Sequence, residues 1–81
     1  MKITIRFFPY LHTVVGAKRL ERDVPADLGL DELLQGMKTE FPQLARTIQN
    51  LTVTLNRQVV APQVRLKEGD EVALFPPVSG G

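Results

Sequence analysis

The chain has 81 residues, a formal net charge of +1 and no cysteine. That describes one small domain and excludes a disulfide scaffold, a thiolate zinc site and a cysteine nucleophile. Its ten Lys and Arg are spread along the sequence, which argues against a nucleic-acid partner. The apolar runs are a few residues long, far short of a membrane span, and no secretory signal is evident. A soluble, cytoplasmic domain without a membrane partner is expected.

Ile3, Ile5 and Phe7 alternate with Lys2, Thr4 and Arg6, the period of two of a strand with one buried face, and Phe8 follows on the polar side. Pro9 ends that strand. Residues 10–15 have room for a helical turn before Gly16. The charged stretch from Ala17 to Val24 then fits an edge strand returning as a hairpin partner, stopped by Pro25. Asp31 is expected to N-cap a helix, with Glu32 in the first turn and Leu33, Leu34, Met37 and Phe41 on one face. Gly36 inside that helix costs about 1 kcal/mol relative to alanine, which signals close packing or a tolerated weakness. The helix closes before Pro42, and Leu44 with Ile48 suggests one more short helical piece.

Val53 and Leu55 alternate with Thr52 and Thr54; Asn56-Arg57 reads as a tight turn and Val59-Val60 as a short return strand. Lys67-Glu68-Gly69-Asp70 forms a second turn into a last strand, Glu71 to Phe75, with Val72 and Leu74 facing in and Ala73 and Phe75 facing out. The economical packing is an α+β arrangement: a mixed sheet covered on one face by one main helix. Central pairing of the first and last strands would be parallel, joined by a crossover that includes the helix. That is the β-grasp, or ubiquitin-like, fold, expected over residues 1–75 and followed by an extended tail, residues 76–81.

No catalytic constellation emerges. His12 is the only histidine and reads as a loop or surface residue, so a two-histidine metal site is impossible and no metal is expected. Ser79 has no histidine partner nearby in sequence, and no glycine-rich phosphate loop follows a strand. The chain is not expected to be an enzyme by itself.

The tail reads "PPVSGG". Pro76 and Pro77 have no backbone N–H, so the ladder cannot continue past Phe75, and their fixed φ favours an extended exit from the sheet. Val78, Ser79, Gly80 and Gly81 then shrink in width, which suits threading into a narrow channel. A carboxylate at Gly81 is a poor electrophile. Joined to the α-phosphate of ATP by another enzyme, it becomes a mixed anhydride from which AMP leaves readily, and a sulfur nucleophile then yields a thiocarboxylate. Phe8 and Phe75 both fall on the face their strands otherwise give to polar residues, which marks an apolar contact patch if the two strands pair.

The segments "LKEGDEVALFPPVSGG" and "ITIRFFPYLHTVVG" resemble the closing and opening segments of the small, sulfur-carrying subunits of molybdopterin synthase, of the MoaD type. The middle of the chain matches that family in pattern. The resemblance implies that Gly81 is adenylated by a ubiquitin-activating-type adenylyltransferase, carries sulfur as a thiocarboxylate, and delivers it inside the large synthase subunit to a cyclic pterin precursor. Gly80 would line the narrow approach, with Phe8 and Phe75 in the patch meeting both partners beside Pro76 and Pro77. No cofactor is held permanently; ATP is used by the activating enzyme. The large subunit is expected as a dimer with one small subunit at each end. His12-Thr13 stands where relatives often carry Arg-Glu. The same tail chemistry serves a sulfur carrier for thiamine, cysteine or RNA thiolation, and a ubiquitin-like protein modifier joined to lysine.

Overall fold

The computed structural model describes residues 1–47 and 51–75. Strand β1 (Lys2–Phe7) leads through a 3-10 turn (Pro9–Leu11) and a single helical turn, α1 (His12–Val15), to β2 (Arg19–Asp23). Helices α2 (Leu30–Glu40) and α3 (Pro42–Thr47) follow, then β3 (Thr52–Leu55) and β4 (Glu71–Phe75). The four strands form one sheet in the order β2-β1-β4-β3. β1 and β4 lie at its centre and run parallel, while β2 and β3 pair antiparallel at the edges. This is the expected β-grasp arrangement.

Parity sorts the side chains. Ile3, Ile5 and Phe7 of β1, Val72 and Leu74 of β4, and Leu55 of β3 join Leu30, Leu33 and Met37 of α2 and Leu44 of α3 in a single buried core. β1 and β4 contribute every second residue, and α2 contributes positions spaced three and four apart, so two different periods meet in one layer. Leu11 and Leu66, both fully buried, close the core from the connecting segments.

Two expectations need correction. Asp31 is not the N-cap: α2 begins at Leu30, two residues earlier than a cap at Asp31 implies, because buried Leu30 starts its inward stripe and the Leu30 N–H is held by the Val64 carbonyl at 2.9 Å. Gly29 is the cap residue, and its N–H donates to Glu32 Oε1 at 3.0 Å. Asp31 instead accepts the Glu32 N–H at 2.8 Å. Second, Val59-Val60 forms no strand. Asn56 and Arg57 make the tight turn with φ of 50° and 70°, as a two-residue hairpin requires. The return then pairs only at Gln58 with Leu55. Backbone bonds from Leu30 and Asp31 to Val64 and Pro62, and from Leu66 to Leu28, draw the following segment to the start of α2. Of the two readings of Gly36, the tolerated weakness is the one that fits: an added Cβ meets nothing within 4 Å.

The remaining turns follow their residues. Gly16 closes α1 at φ 83°, a left-handed conformation that a side chain disfavours. Asp70 Oδ2 accepts the Lys67 N–H at 2.7 Å and Asp70 Oδ1 accepts from Asn56 Nδ2 at 3.0 Å, which ties the turn before β4 to the turn after β3. Ile48 lies outside the described residues.

Candidate functional site

The sheet has one face under the helices and one face that no element among the described residues covers. On the second, Thr4 and Arg6 of β1 stand beside Glu71 and Ala73 of β4. The charged members pair loosely across strands, Lys2 Nζ to Glu21 at 4.0 Å and Arg6 Nη1 to Glu71 at 3.8 Å. Exposed pairs of this kind contribute about 1 kcal/mol or less.

Toward the end of the sheet where β1 and β4 both finish, the face turns apolar. The parallel register pairs Arg6 with Ala73 and Phe7 with Leu74, and the Phe8 N–H donates to the Leu74 carbonyl at 2.9 Å. One further step along the two strands sets Phe8 beside Phe75. Phe8 is exposed and Phe75 half-buried, opposite Thr52 of β3. The two aromatics expected to meet therefore hold neighbouring backbone positions where β1 and β4 end.

Tyr10 was not expected here. The 3-10 turn carries it back over Phe8, ring centroids 5.9 Å apart and planes at 61°, an edge-to-face contact. Phe8 and Tyr10 are two of the three large apolar side chains that stand exposed among the described residues. Periodicity could not signal this, because Tyr10 lies past Pro9, outside the strand's alternation.

His12 holds this corner together. Its Nε2 lies 2.9 Å from the Phe7 carbonyl oxygen, fastening α1 to the end of β1. Among the described residues no three His, Asp or Glu side chains cluster as metal ligands. No helix among them is long and apolar enough to cross a membrane. Pro76, Pro77, Val78, Ser79, Gly80 and Gly81, expected to aim and form the working tail, lie outside the described residues.

A four-stranded mixed sheet with parallel central strands, one main helix and an aromatic patch at the chain's exit defines a ubiquitin-like β-grasp protein. Residues 5–81 match the ThiS family, and the chain belongs to it. It is 31% identical to a molybdopterin synthase sulfur carrier subunit of Chlamydomonas reinhardtii, over the full length of both chains. It is 34% identical to small archaeal modifier protein 3 of Haloferax volcanii, again over both full lengths. Among solved structures, it superposes with a TM-score of 0.73 and 26% identity, covering all of both chains, on a chain from the complex of subunits 1 and 2 of molybdopterin-converting factor from Helicobacter pylori.

Proposed function

We propose that the protein is the sulfur carrier of molybdopterin synthase, acting in molybdenum cofactor biosynthesis in the cytoplasm. The observation that carries the reading is an exposed Phe8, in ring contact with Tyr10 and bonded through its backbone to Leu74, at the strand end from which Phe75 leads into a tail spelled Pro-Pro-Val-Ser-Gly-Gly. The full-length similarity to sulfur carrier subunits and to a member of a two-subunit complex supports it.

The domain, residues 1–75, serves recognition, and residues 76–81 carry the chemistry. A carboxylate oxygen of Gly81 attacks the α-phosphorus of ATP on a ubiquitin-activating-type adenylyltransferase, and pyrophosphate leaves. Sulfur, as hydrosulfide in the simplest case, then attacks the acyl carbon; the bond to AMP breaks and the thiocarboxylate remains. In the large subunit that sulfur attacks a carbon of the pterin precursor and displaces an oxygen leaving group; water then cleaves the acyl–sulfur bond, leaving the thiol on the pterin and the carboxylate on Gly81. The chain's own contribution is to place the carbon. A residue of extended chain spans about 3.3–3.6 Å while reacting atoms must approach to about 3–3.5 Å, so one residue of length decides reach. The protein supplies no general acid, base or metal to this scheme and acts as the non-catalytic subunit of the synthase.

Incubation with the activating enzyme, ATP and a sulfur donor tests the reading. The expected product has one oxygen replaced by sulfur, located by fragmentation in the C-terminal peptide, which separates it from oxidation of Met1 or Met37. A C-terminal peptide of unchanged mass beside a proven active enzyme contradicts the reading.

The full-length likeness to small archaeal modifier protein 3 favours a second reading, a protein modifier whose terminal glycine is joined to lysine amines. It uses the same adenylate but ends in isopeptide conjugates, which a blot of cell extract against this chain reveals.

A further inference from the structure

The Lys and Arg that look dispersed in sequence are partly gathered by the fold. No Asp or Glu precedes Glu21 in the chain, yet this acid-free stretch carries Arg6, His12, Lys18 and Arg19. The antiparallel register sets Arg6 directly opposite Arg19, and like charges facing each other across a strand pair repel. Arg6 leans toward Glu71 on its other side, but among the described residues no ion pair reaches Lys18 or Arg19. Together with Phe7, Pro9 and His12 they line an open cavity of about 460 Å³. It adjoins the turn that carries Phe8 and Tyr10, at the end of the sheet from which the tail departs.

An anion entering this cavity relieves a repulsion that folding leaves in place. The surroundings favour a carboxylate on a protein over a free phosphate or a nucleic acid. A phosphate cradle needs convergent backbone N–H groups, and four of this corner are engaged within the fold: Phe7 with the Lys18 carbonyl, Phe8 with Leu74, Leu11 with Phe8 and His12 with Pro9. A nucleic-acid backbone needs a longer basic track than one cavity. What the cavity does have is an exposed aromatic patch beside it, and an apolar centre with a charged rim is the layout of a protein interface.

Building on the sulfur-carrier reading, we propose that Arg6, Lys18 and Arg19 are the charged rim of the docking face and receive an acidic segment of the large synthase subunit. The contact steers the complex and fixes its rotation about the aromatic anchor, so that the tail enters the subunit in one orientation. It predicts Asp or Glu side chains on the large subunit beside the mouth of the channel that takes the tail.

The test is association of the full chain with purified large subunit, measured from low to high salt for wild type, the double variant K18E/R19E, and Arg57→Glu. Arg57 lies in the turn after β3, at the opposite end of the sheet from the tail. Wild-type affinity should fall as salt rises. K18E/R19E should lose about tenfold or more in affinity at low salt, mainly through slower association, and converge on wild type at high salt. Arg57→Glu should stay within about twofold of wild type, as expected of a charge outside the interface. K18E/R19E should unfold no earlier than wild type, since it exchanges the Arg6–Arg19 repulsion for attraction, which separates lost contact from lost fold.

Equal affinity and salt dependence for wild type and K18E/R19E overturns the proposal, as does an equal loss in Arg57→Glu, which makes the effect one of net charge. If inorganic phosphate shifts the Lys18 and Arg19 amide resonances of the free protein while K18E/R19E binds the subunit normally, the cavity is a small-anion site and the protein contact is overturned. A wild type that binds no large subunit at any salt removes the sulfur-carrier reading and this contact together. A wild type that binds, with a reversed pair that binds equally, removes the contact alone.

Discussion

Along β1, Ile3, Ile5 and Phe7 are 0%, 1% and 6% exposed, while the next residue, Phe8, is 45% exposed. Phe7 and Phe8 have the same side chain, share a strand end and differ by one position, yet one completes the core and the other stands in solvent. The same holds in β4, where buried Leu74 precedes half-buried Phe75. The contrast between the two faces leaves room, in so small a domain, for the proposed docking surface. Odd positions of β1 contribute to stability, and the even position just past its end is left for the proposed recognition, so substitutions one residue apart should be read by different instruments.

The largest effect is expected outside both faces. Deleting Gly81 should abolish sulfur acquisition altogether and leave the unfolding midpoint unchanged, checked by C-terminal peptide mass and thermal unfolding of the same sample. Retained sulfur loading would move the working carbon away from the tail's last residue. Next comes the inner face, where Ile5→Ala should cost about 2–5 kcal/mol of folding stability through lost burial and a residual cavity. Urea unfolding measures this, and a smaller loss would mean that the core relaxes around the gap.

On the outer face, Phe75→Ala should lower affinity for the large subunit by about 2 kcal/mol, roughly thirtyfold. Its unfolding midpoint should shift far less than that of Ile5→Ala. Both the large subunit and the activating enzyme are proposed to meet this patch, so they should compete in a titration and both should weaken. A stability loss without an affinity loss would assign Phe75 to the core and erase the contrast between faces. The smallest effect is a gain. Gly36→Ala, on an exposed stretch of α2 where a Cβ meets nothing within 4 Å, should raise stability by about 0.5–1 kcal/mol, and no gain would reveal packing at that position.

The elements that were legible in the sequence are those with a clean period. β1, β4 and the buried stripe of α2 show their alternation directly; the sheet order rested on the assumption that the first and last strands pair at the centre, which makes them parallel with a crossover between. Phe8 and Phe75 were legible as exceptions to that alternation. The start of α2 was not, because Asp31 is a better capping residue than Gly29 by side chain alone, whereas the backbone bond from Leu30 to Val64 is made by a segment far along the chain. Val59-Val60 has strand-forming residues, but its neighbours are bonded elsewhere, and propensity cannot see a competing partner. Tyr10 and the meeting of Arg6, Lys18 and Arg19 share this cause: each depends on the return path between β1 and β2, which brings residues together that no local pattern connects.

The most direct test of the account is the fate of the sulfur. Protein carrying a C-terminal thiocarboxylate is mixed with the large subunit and the cyclic pterin precursor, and both the protein's mass and the product are followed over time. The account expects the C-terminal peptide to return to the carboxylate in step with the appearance of sulfur in the pterin, with no lysine conjugates formed. A thiocarboxylate that persists beside active large subunit, or that disappears into isopeptide bonds while the pterin stays free of sulfur, contradicts it.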